Sequence, residues 1–185
     1  MADRIIIGID PGTQVTGYGI IKCTGKKMEL LACGSIHLGK QEVSHPEKLK
    51  KIFRRVSSLV DSYSPTEMAL EAPFYGKNAQ SMLKLGRAQG VAMAAGLEKN
   101  LPIFEYAPRK VKIAVTGSGS ASKEQVASML KKLLSFEEEP KFMDATDGLA
   151  VAVCHFYQNN PQAPGKRHKD WASFLAKNPD RLKKR

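Results

Sequence analysis

The feature that most constrains this chain is a short apolar strand that ends in a carboxylate and a glycine turn. The segment Arg4–Asp10 (RIIIGID) holds three consecutive isoleucines, a pattern typical of a central strand buried on both faces. Asp10 stands where this strand stops, and Pro11 and Gly12 follow it. Carboxylates are almost never fully buried unless they are paired or bound to a metal. Asp10 therefore indicates a functional position at the edge of a sheet.

Three further acids occupy comparable positions. Glu71 ends a second apolar strand, while Asp144 and Asp147 open an apolar helix on which their spacing places both on one face. Two of them have an ordinary alternative, since Asp144 could cap its helix and Glu71 could form a salt bridge, whereas Asp147 is harder to explain as a cap. Carboxylate oxygens, however, select hard cations such as Mg²⁺ or Mn²⁺. Two such ions about 3.5–4 Å apart can activate a water against a phosphodiester. The combination predicts a metal site built by all four acids.

The charge and composition of the chain indicate which classes of partner to expect. The 185 residues include 29 Lys and Arg against 18 Asp and Glu, a net charge of +11. This excess favours nucleic acid, an anionic surface or acidic substrates, although solubility alone is an alternative. No signal peptide or stretch of about 20 apolar residues is present, so we expect no membrane partner. The three cysteines lack CxxC spacing, which indicates a reducing, cytoplasmic location rather than a zinc site or a disulfide framework.

The order of predicted elements indicates an α/β fold. Strands are predicted at 4–9, 17–22, 28–37, 67–71 and 102–107, and helices at 46–63, 80–99, from 110, from 122 and at 144–157. Short turns join the first three strands into an antiparallel meander, and helical crossovers make the later strands parallel. The prediction is one domain over residues 1–158 with a mixed five-stranded sheet flanked by helices. Residues 159–185 form a linker and a basic tail, which could dock on a protein or attract DNA.

Several segments leave alternatives open. The Gly- and Ala-rich helix at 80–99 is a candidate subunit interface, or it packs on the sheet of its own chain. His155 lies either near the metal site or, as we favour, in the core, while His37 and His45 are expected at the surface. Phosphate-binding Gly-rich loops of the P-loop and dinucleotide types do not occur in the sequence.

Motifs in a fixed order make the chain recognisable. They are residues 7–19 (IGIDPGTQVTGYG), 70–78 (LEAPFYGKN), 81–90 (SMLKLGRAQG), 104–112 (FEYAPRKVK), 117–123 (GSGSASK) and 144–152 (DATDGLAVA). Together they resemble the RuvC family of Holliday-junction endonucleases over residues 4 to about 157. The resemblance implies a ribonuclease H-like fold, a homodimer, and cleavage of four-way DNA junctions by paired symmetric nicks in recombination and repair. It also implies a branch-migration helicase complex (RuvA, RuvB) as partner.

The resemblance assigns expected roles by position. Asp10, Glu71, Asp144 and Asp147 would be the catalytic acids that bind Mg²⁺, with Mn²⁺ able to substitute and with two ions per subunit. Lys112 and Lys123 would contact phosphates or steady the transition state.

The loop after Glu71 is expected to bind DNA. Phe74 would stack on bases at the junction, and its neighbour Lys77 would bind DNA beside it. Stacking of an aromatic side chain on an unpaired base contributes about 1–3 kcal/mol. The alternative for Phe74 is an aromatic side chain folded onto the core.

The same residues are compatible with two other functions. The turn Asp10-Pro-Gly-Thr13 also fits a sugar-kinase or actin-like ATPase, although one domain is too short for such an enzyme. A module that binds branched DNA without cutting it is the other alternative, against which the complete set of acids counts.

Overall fold

The structure is a computed structural model that describes residues 3–39, 43–73, 78–136 and 143–159, with only the backbone of Met143 described. Phe74, Lys77 and the basic tail lie outside the described residues, so their predicted roles stay predictions.

Five strands and five helices make up the described part of the chain. In chain order they are β1 (Arg4–Asp10), β2 (Val15–Thr24), β3 (Lys27–His37), α1 (His45–Tyr63), β4 (Glu67–Glu71), α2 (Ala79–Leu97), β5 (Ile103–Tyr106), α3 (Pro108–Thr116), α4 (Lys123–Leu134) and α5 (Met143–Asn159). The strand order is β3-β2-β1-β4-β5, with β1, β2 and β3 antiparallel and with β4 and β5 parallel to β1. The predicted mixed sheet is confirmed.

The helices cover both faces of this sheet. One core lies between the sheet and α1 and α2, where Ile7, Ile9 and Leu70 are fully buried. The second core lies on the opposite face, where Ile6 and Ala69 pack with α3, α4 and α5. Within the described part of the chain, no helix combines the length and apolar character that a bilayer crossing requires.

Helix α1 illustrates how local sequence sets these elements. Its buried stripe includes Ile52, Val56 and Leu59, at the spacing of one helical face. Ser44 and Glu47 form a reciprocal capping box at its start, and the backbone leaves the helix in the left-handed region after Tyr63. The apolar stripe fixes which face meets the sheet and leaves the opposite, basic face to solvent.

Glycines bring α5 directly onto β1 and β2. A Cβ atom added at Gly17 would lie 1.9 Å from the carbonyl oxygen of Asp144, and one at Gly8 would lie 2.3 Å from that of Gly148. A Cβ at Gly148 would lie 2.5 Å from the backbone nitrogen of Tyr18. No larger residue fits at these backbone contacts. They hold the first turn of α5 beside the end of β1.

Candidate active site

Two of the predicted acids end adjacent parallel strands. Ile9 of β1 is the register partner of Leu70 of β4, so Asp10 and Glu71 are the next residues at the same edge of the sheet. Side chains alternate along a strand, and the residues two positions earlier, Gly8 and Ala69, face α5. Both carboxylates therefore lie on the α5 side of the carboxyl edge.

The other two acids reach this edge from α5. Asp144 and Asp147 are the second and fifth residues of the helix, so both lie in or beside its first turn. The contact of Asp144 with Gly17 places this turn over the end of β1, because Gly17 is the register partner of Asp10. Asp144 thus lies within the helix. A role as a helix cap would not account for Asp147, which lies beside it.

Lys123 supplies positive charge to this cluster of acids. Its Nζ donates to a carboxylate oxygen of Asp147 at 2.6 Å, and this contact raises the pKa of Lys123. Lys123 is the first residue of α4, whose capping box is formed by Ser122 and Gln125. A cation at a helix N-terminus opposes the helix dipole. The position is therefore unfavourable for the helix itself and is explained by the acids that it faces.

The second predicted lysine lies near Glu71. Lys112 stands on α3, and its charge lowers the pKa of Glu71, as does that of Lys123. The two lysines therefore approach the acids from α3 and α4. All six predicted residues of the described chain meet at one edge, while their catalytic role remains a prediction.

Burial and, to a smaller extent, repulsion from neighbouring acids raise the pKa of two of the carboxylates. Burial raises the pKa of Asp10 to about 7, with a further contribution from the charges of Asp147 and Asp144. Burial likewise raises the pKa of Glu71 to about 8, with contributions from Asp10 and Asp147. The positive charge of Lys123, and for Glu71 also that of Lys112, offsets only part of this rise in pKa. Such a site gains from a cation, because a cation neutralises charges that repel one another in a poorly solvated place.

The chemistry of these side chains fits a hard divalent cation. Asp10, Glu71, Asp144 and Asp147 provide only carboxylate oxygens, the ligands that Mg²⁺ and Mn²⁺ prefer. Among the described residues, no three His, Cys, Asp or Glu side chains are already arranged as a ligand shell. Donor type and electrostatics therefore support a cation here.

Two supporting features were missed from the sequence. The turn after Asp10 is fixed by Thr16, which is fully buried and whose Oγ1 accepts from the backbone nitrogen of Gly12 at 3.3 Å. On the other side, buried Gln89 of α2 donates to Glu105 at 2.7 Å and lines, with Asp10 and Glu71, a cavity of about 120 Å³. The sequence feature that could have identified Gln89 is its place as a polar residue on the small-residue face of a helix.

His155 lies in the core, as we favoured from the sequence. It is fully buried, its Nε2 lies 2.5 Å from Glu67 and its Nδ1 lies 2.7 Å from the Tyr106 hydroxyl. A carboxylate only accepts, so Nε2 donates to Glu67 and Nδ1 accepts from Tyr106. Glu67 begins β4, whereas Glu71 ends it, so His155 stands at the far end of α5 from the acids.

Comparison with known proteins decides the family. The family model of crossover junction endodeoxyribonuclease RuvC matches residues 6–155. This chain belongs to the RuvC family. A RuvC from Cytophaga hutchinsonii is 58% identical over 98% of this chain and 89% of that relative, and one from Bacteroides fragilis is 56% identical over 98% and 97%.

Solved structures of RuvC proteins share the fold. A structure of T. thermophilus RuvC in complex with a Holliday junction substrate matches with a TM-score of 0.79 and 29% identity, covering 86% of this chain and 97% of that one. The yeast mitochondrial Holliday junction resolvase Ydc2, at 14% identity and a TM-score of 0.58, shows the fold alone. The family, the ribonuclease H-like fold and the nuclease class predicted from the sequence are confirmed. The sugar-kinase alternative is excluded by membership of this family.

Proposed function

We propose that this chain resolves four-way DNA junctions by nicking two opposed strands, with Asp10, Glu71, Asp144 and Asp147 holding the divalent cations. The observation that supports this most is the convergence of four acids and two lysines at one sheet edge, in a RuvC-family chain with a net charge of +11. We further propose Mg²⁺, with Mn²⁺ as a substitute, two ions per subunit, and a branch-migration helicase complex as partner.

Each group has a distinct task in this proposal. A bound hard cation supplies Lewis acidity and lowers the pKa of a water molecule. The four carboxylates hold that charge at the carboxyl edge, where Asp10 and Glu71 are poorly solvated. Lys123 and Lys112 provide fixed positive charge beside the acids, suited to a phosphate that becomes more negative in the transition state.

A homodimer would place two such sites on opposed strands, which paired incision requires. Helix α2 offers a suitable face. Its buried residues Ala88, Ala92 and Ala95 pack within the chain, whereas Leu83 and Leu97 on another side are 62% and 56% exposed. Gly86 and Gly90 lie between these leucines with open space beyond them. This face would admit the same helix of a second copy at close range.

The dimer is tested by mass measurement in solution. Light scattering of the wild type should give twice the chain mass, and Gly90→Arg should shift it toward the monomer while circular dichroism stays unchanged. A monomeric wild type would contradict the proposed dimer.

Cleavage is tested on a labelled synthetic four-way junction and a linear duplex of matched sequence, each with and without Mg²⁺. The proposal predicts paired nicks at symmetric positions in the junction only, and only with the cation. Binding of the junction without nicks under Mg²⁺ or Mn²⁺ would support a binding module instead.

A further inference from the structure

A strongly basic groove lies between α1 and the edge strand β3. Lys50, Lys51, Arg54 and Arg55 of α1 line it, together with the end of β3 from Ser35 to His37. Its volume is about 670 Å³. The four cations occupy two successive turns of α1, about 5.4 Å apart. A line of charges at this spacing suits a linear polyanion better than a single compact anion.

The positive charge of this groove is not neutralised locally. In the part of the chain that the structure describes, none of the four cations has a carboxylate within ion-pair distance. The acid that lines the groove, Glu47, accepts from the backbone nitrogen and hydroxyl of Ser44 at 3.1 and 2.7 Å in the capping box. Glu47 also interacts electrostatically with Lys50, so this one carboxylate offsets only part of the charge of four cations.

One of the cations is held in place by the core. The guanidinium of Arg55 donates to the hydroxyl of Tyr18 at 3.3 Å and lies 5.7 Å from the centre of the Tyr18 ring. Tyr18 is buried beneath it and packs closely on Gly34 of β3. A guanidinium fixed in this way loses less freedom on binding, and its planar fork matches phosphate oxygens.

The groove also adjoins the edge that carries the acids. His37 at the end of β3 is the register partner of Val15, which follows the turn after Asp10. Lys48, near the start of α1, donates to Gln14 of the same turn at 3.4 Å. Strand β3 is two strands from β1, about 10 Å away. A duplex whose scissile phosphate lies at Asp10 and that continues across β2 and β3 would reach this groove within a few base pairs.

From these observations we propose that the groove between α1 and β3 binds the sugar-phosphate backbone of one duplex arm of the junction. This inference rests on the proposed function and adds the surface that holds the arm. Phosphate contacts position a protein on DNA without reading base sequence. The groove should therefore contribute affinity that depends on salt and is indifferent to sequence.

The test compares two charge reversals of equal size. Lys51→Glu with Arg54→Glu alters the groove at two exposed side chains, leaving Arg55 on Tyr18. Lys26→Glu with Lys27→Glu is the control, at two exposed residues where the turn after β2 enters β3, at the opposite end of the sheet. Each pair lowers the net charge by four, because two residues change from +1 to −1. Any general effect of net charge on DNA affinity is therefore the same in the two variants.

Affinity for a four-way junction is measured by fluorescence anisotropy in EDTA over a series of salt concentrations. The groove variant should bind about 10-fold more weakly at moderate salt, and the slope of log affinity against log salt should become shallower by about 1–2. The control should change by less than about 3-fold. Equal affinities and slopes for the two variants would overturn the inference.

Two further measurements distinguish a failure of this inference from a failure of the proposed function. Shortening the junction arms stepwise should weaken binding by the wild type while leaving the groove variant nearly unchanged; an identical loss in both would overturn the inference. With Mg²⁺ and saturating protein, the groove variant should nick the junction at the wild-type rate. A wild type that nicks while both variants bind alike would leave the proposed function standing and remove only the arm contact. A wild type that never nicks would refute the proposed function on which the inference rests.

Discussion

The ammonium group of Lys123 lies 2.6 Å from a carboxylate oxygen of Asp147, joining the first residue of α4 to the first turns of α5. The contact crosses between two helices, and its charge also lowers the pKa of Asp10 and Glu71. Lys123 therefore keeps the neighbouring acids closer to their ionised, cation-binding form.

Replacing Lys123 by Met should reduce the rate of junction nicking and shift its pH dependence. Without the ammonium the pKa values of Asp10 and Glu71 rise further, so the ionised acids form only at higher pH. We expect a loss of about 10²-fold at neutral pH, with partial recovery as the pH rises. The measurement is a single-turnover nicking rate from pH 6 to pH 9. Lys123→Arg should retain most of the activity, and an unchanged pH profile for Lys123→Met would contradict the role.

Binding of a divalent cation should release protons near neutral pH. Asp10, with a pKa of about 7, and Glu71, with a pKa of about 8, are partly protonated there, so a cation must displace those protons. The apparent affinity for Mn²⁺ should therefore rise with pH from 6 to 8 and level off above that range. Titration calorimetry at pH 7 in two buffers of different ionisation enthalpy measures the protons released. Asp10→Asn should lower both the affinity and the proton count; heats that are equal in the two buffers would refute this prediction.

The glycine contact beneath α5 should matter for both stability and cleavage. Gly17→Ala introduces a Cβ where the Asp144 carbonyl oxygen is 1.9 Å away, so α5 must shift. We expect a loss of about 1–3 kcal/mol in the free energy of unfolding, together with slower nicking by the folded protein. Urea unfolding and nicking at a temperature where the variant is folded measure the two effects.

Gly25→Ala is the matched control for this change. Gly25 has a φ of 61°, in the left-handed region, and its added Cβ would meet no neighbouring atom. The change should cost about 1 kcal/mol of stability through backbone strain alone. Nicking by folded Gly25→Ala should equal that of the wild type. If Gly17→Ala nicked equally fast, the contact would have no part in placing Asp144.

His155→Ala should affect stability rather than chemistry. The change leaves Glu67 and Tyr106 without the ring that joins them, at a cost of about 2–4 kcal/mol. His155 lies eight residues beyond Asp147, about 12 Å along the helix, so nicking by the folded variant should stay near the wild-type rate. A large loss of nicking in a variant shown to be folded would place His155 in the site.

His155 should also make the free energy of unfolding of the wild type depend on pH. Burial lowers the pKa of His155 below its ordinary value of 6.5, despite the nearby carboxylate of Glu67. The unfolded chain therefore binds a proton more readily than the folded one, and the stability contributed by this group falls as the pH drops below 6.5. His155→Gln should flatten this part of the stability profile between pH 5 and pH 7, measured by urea unfolding. An unchanged slope would contradict the lowered pKa.

Much of the fold was predictable because its elements have clear local signals. The isoleucines of β1, the amphipathic stripe of α1 and the capping residue Ser122 each mark an element that the structure contains. Parallel pairing of β1 with β4 also follows from the helical crossover between them. The approach of Asp10 to Glu71 is a direct consequence, since the carboxyl ends of adjacent parallel strands meet.

Other parts of the site depend on packing that no local pattern encodes. No local sequence pattern explains Gly17 and Gly148, whereas the close approach of α5 to the sheet does. The pairing of Lys123 with Asp147 depends on how α4 meets α5, and residue identity alone left it open. The sequence left open whether the small-residue helix α2 packs on its own sheet or forms a subunit interface. The structure packs one face of it in the core, and which face stays exposed depends on where the sheet lies.

A comparison of Asp10→Asn with the wild type on one four-way junction tests whether the acid cluster cuts DNA while the basic surface binds it. Asparagine removes a charged ligand from the acid cluster while leaving the basic surface intact. Binding is measured by anisotropy in EDTA, and strand cleavage is measured at saturating protein with Mg²⁺. We expect junction affinity within about 3-fold of the wild type and a loss of nicking by about 10³-fold or more. Nicking by Asp10→Asn near the wild-type rate would contradict this expectation.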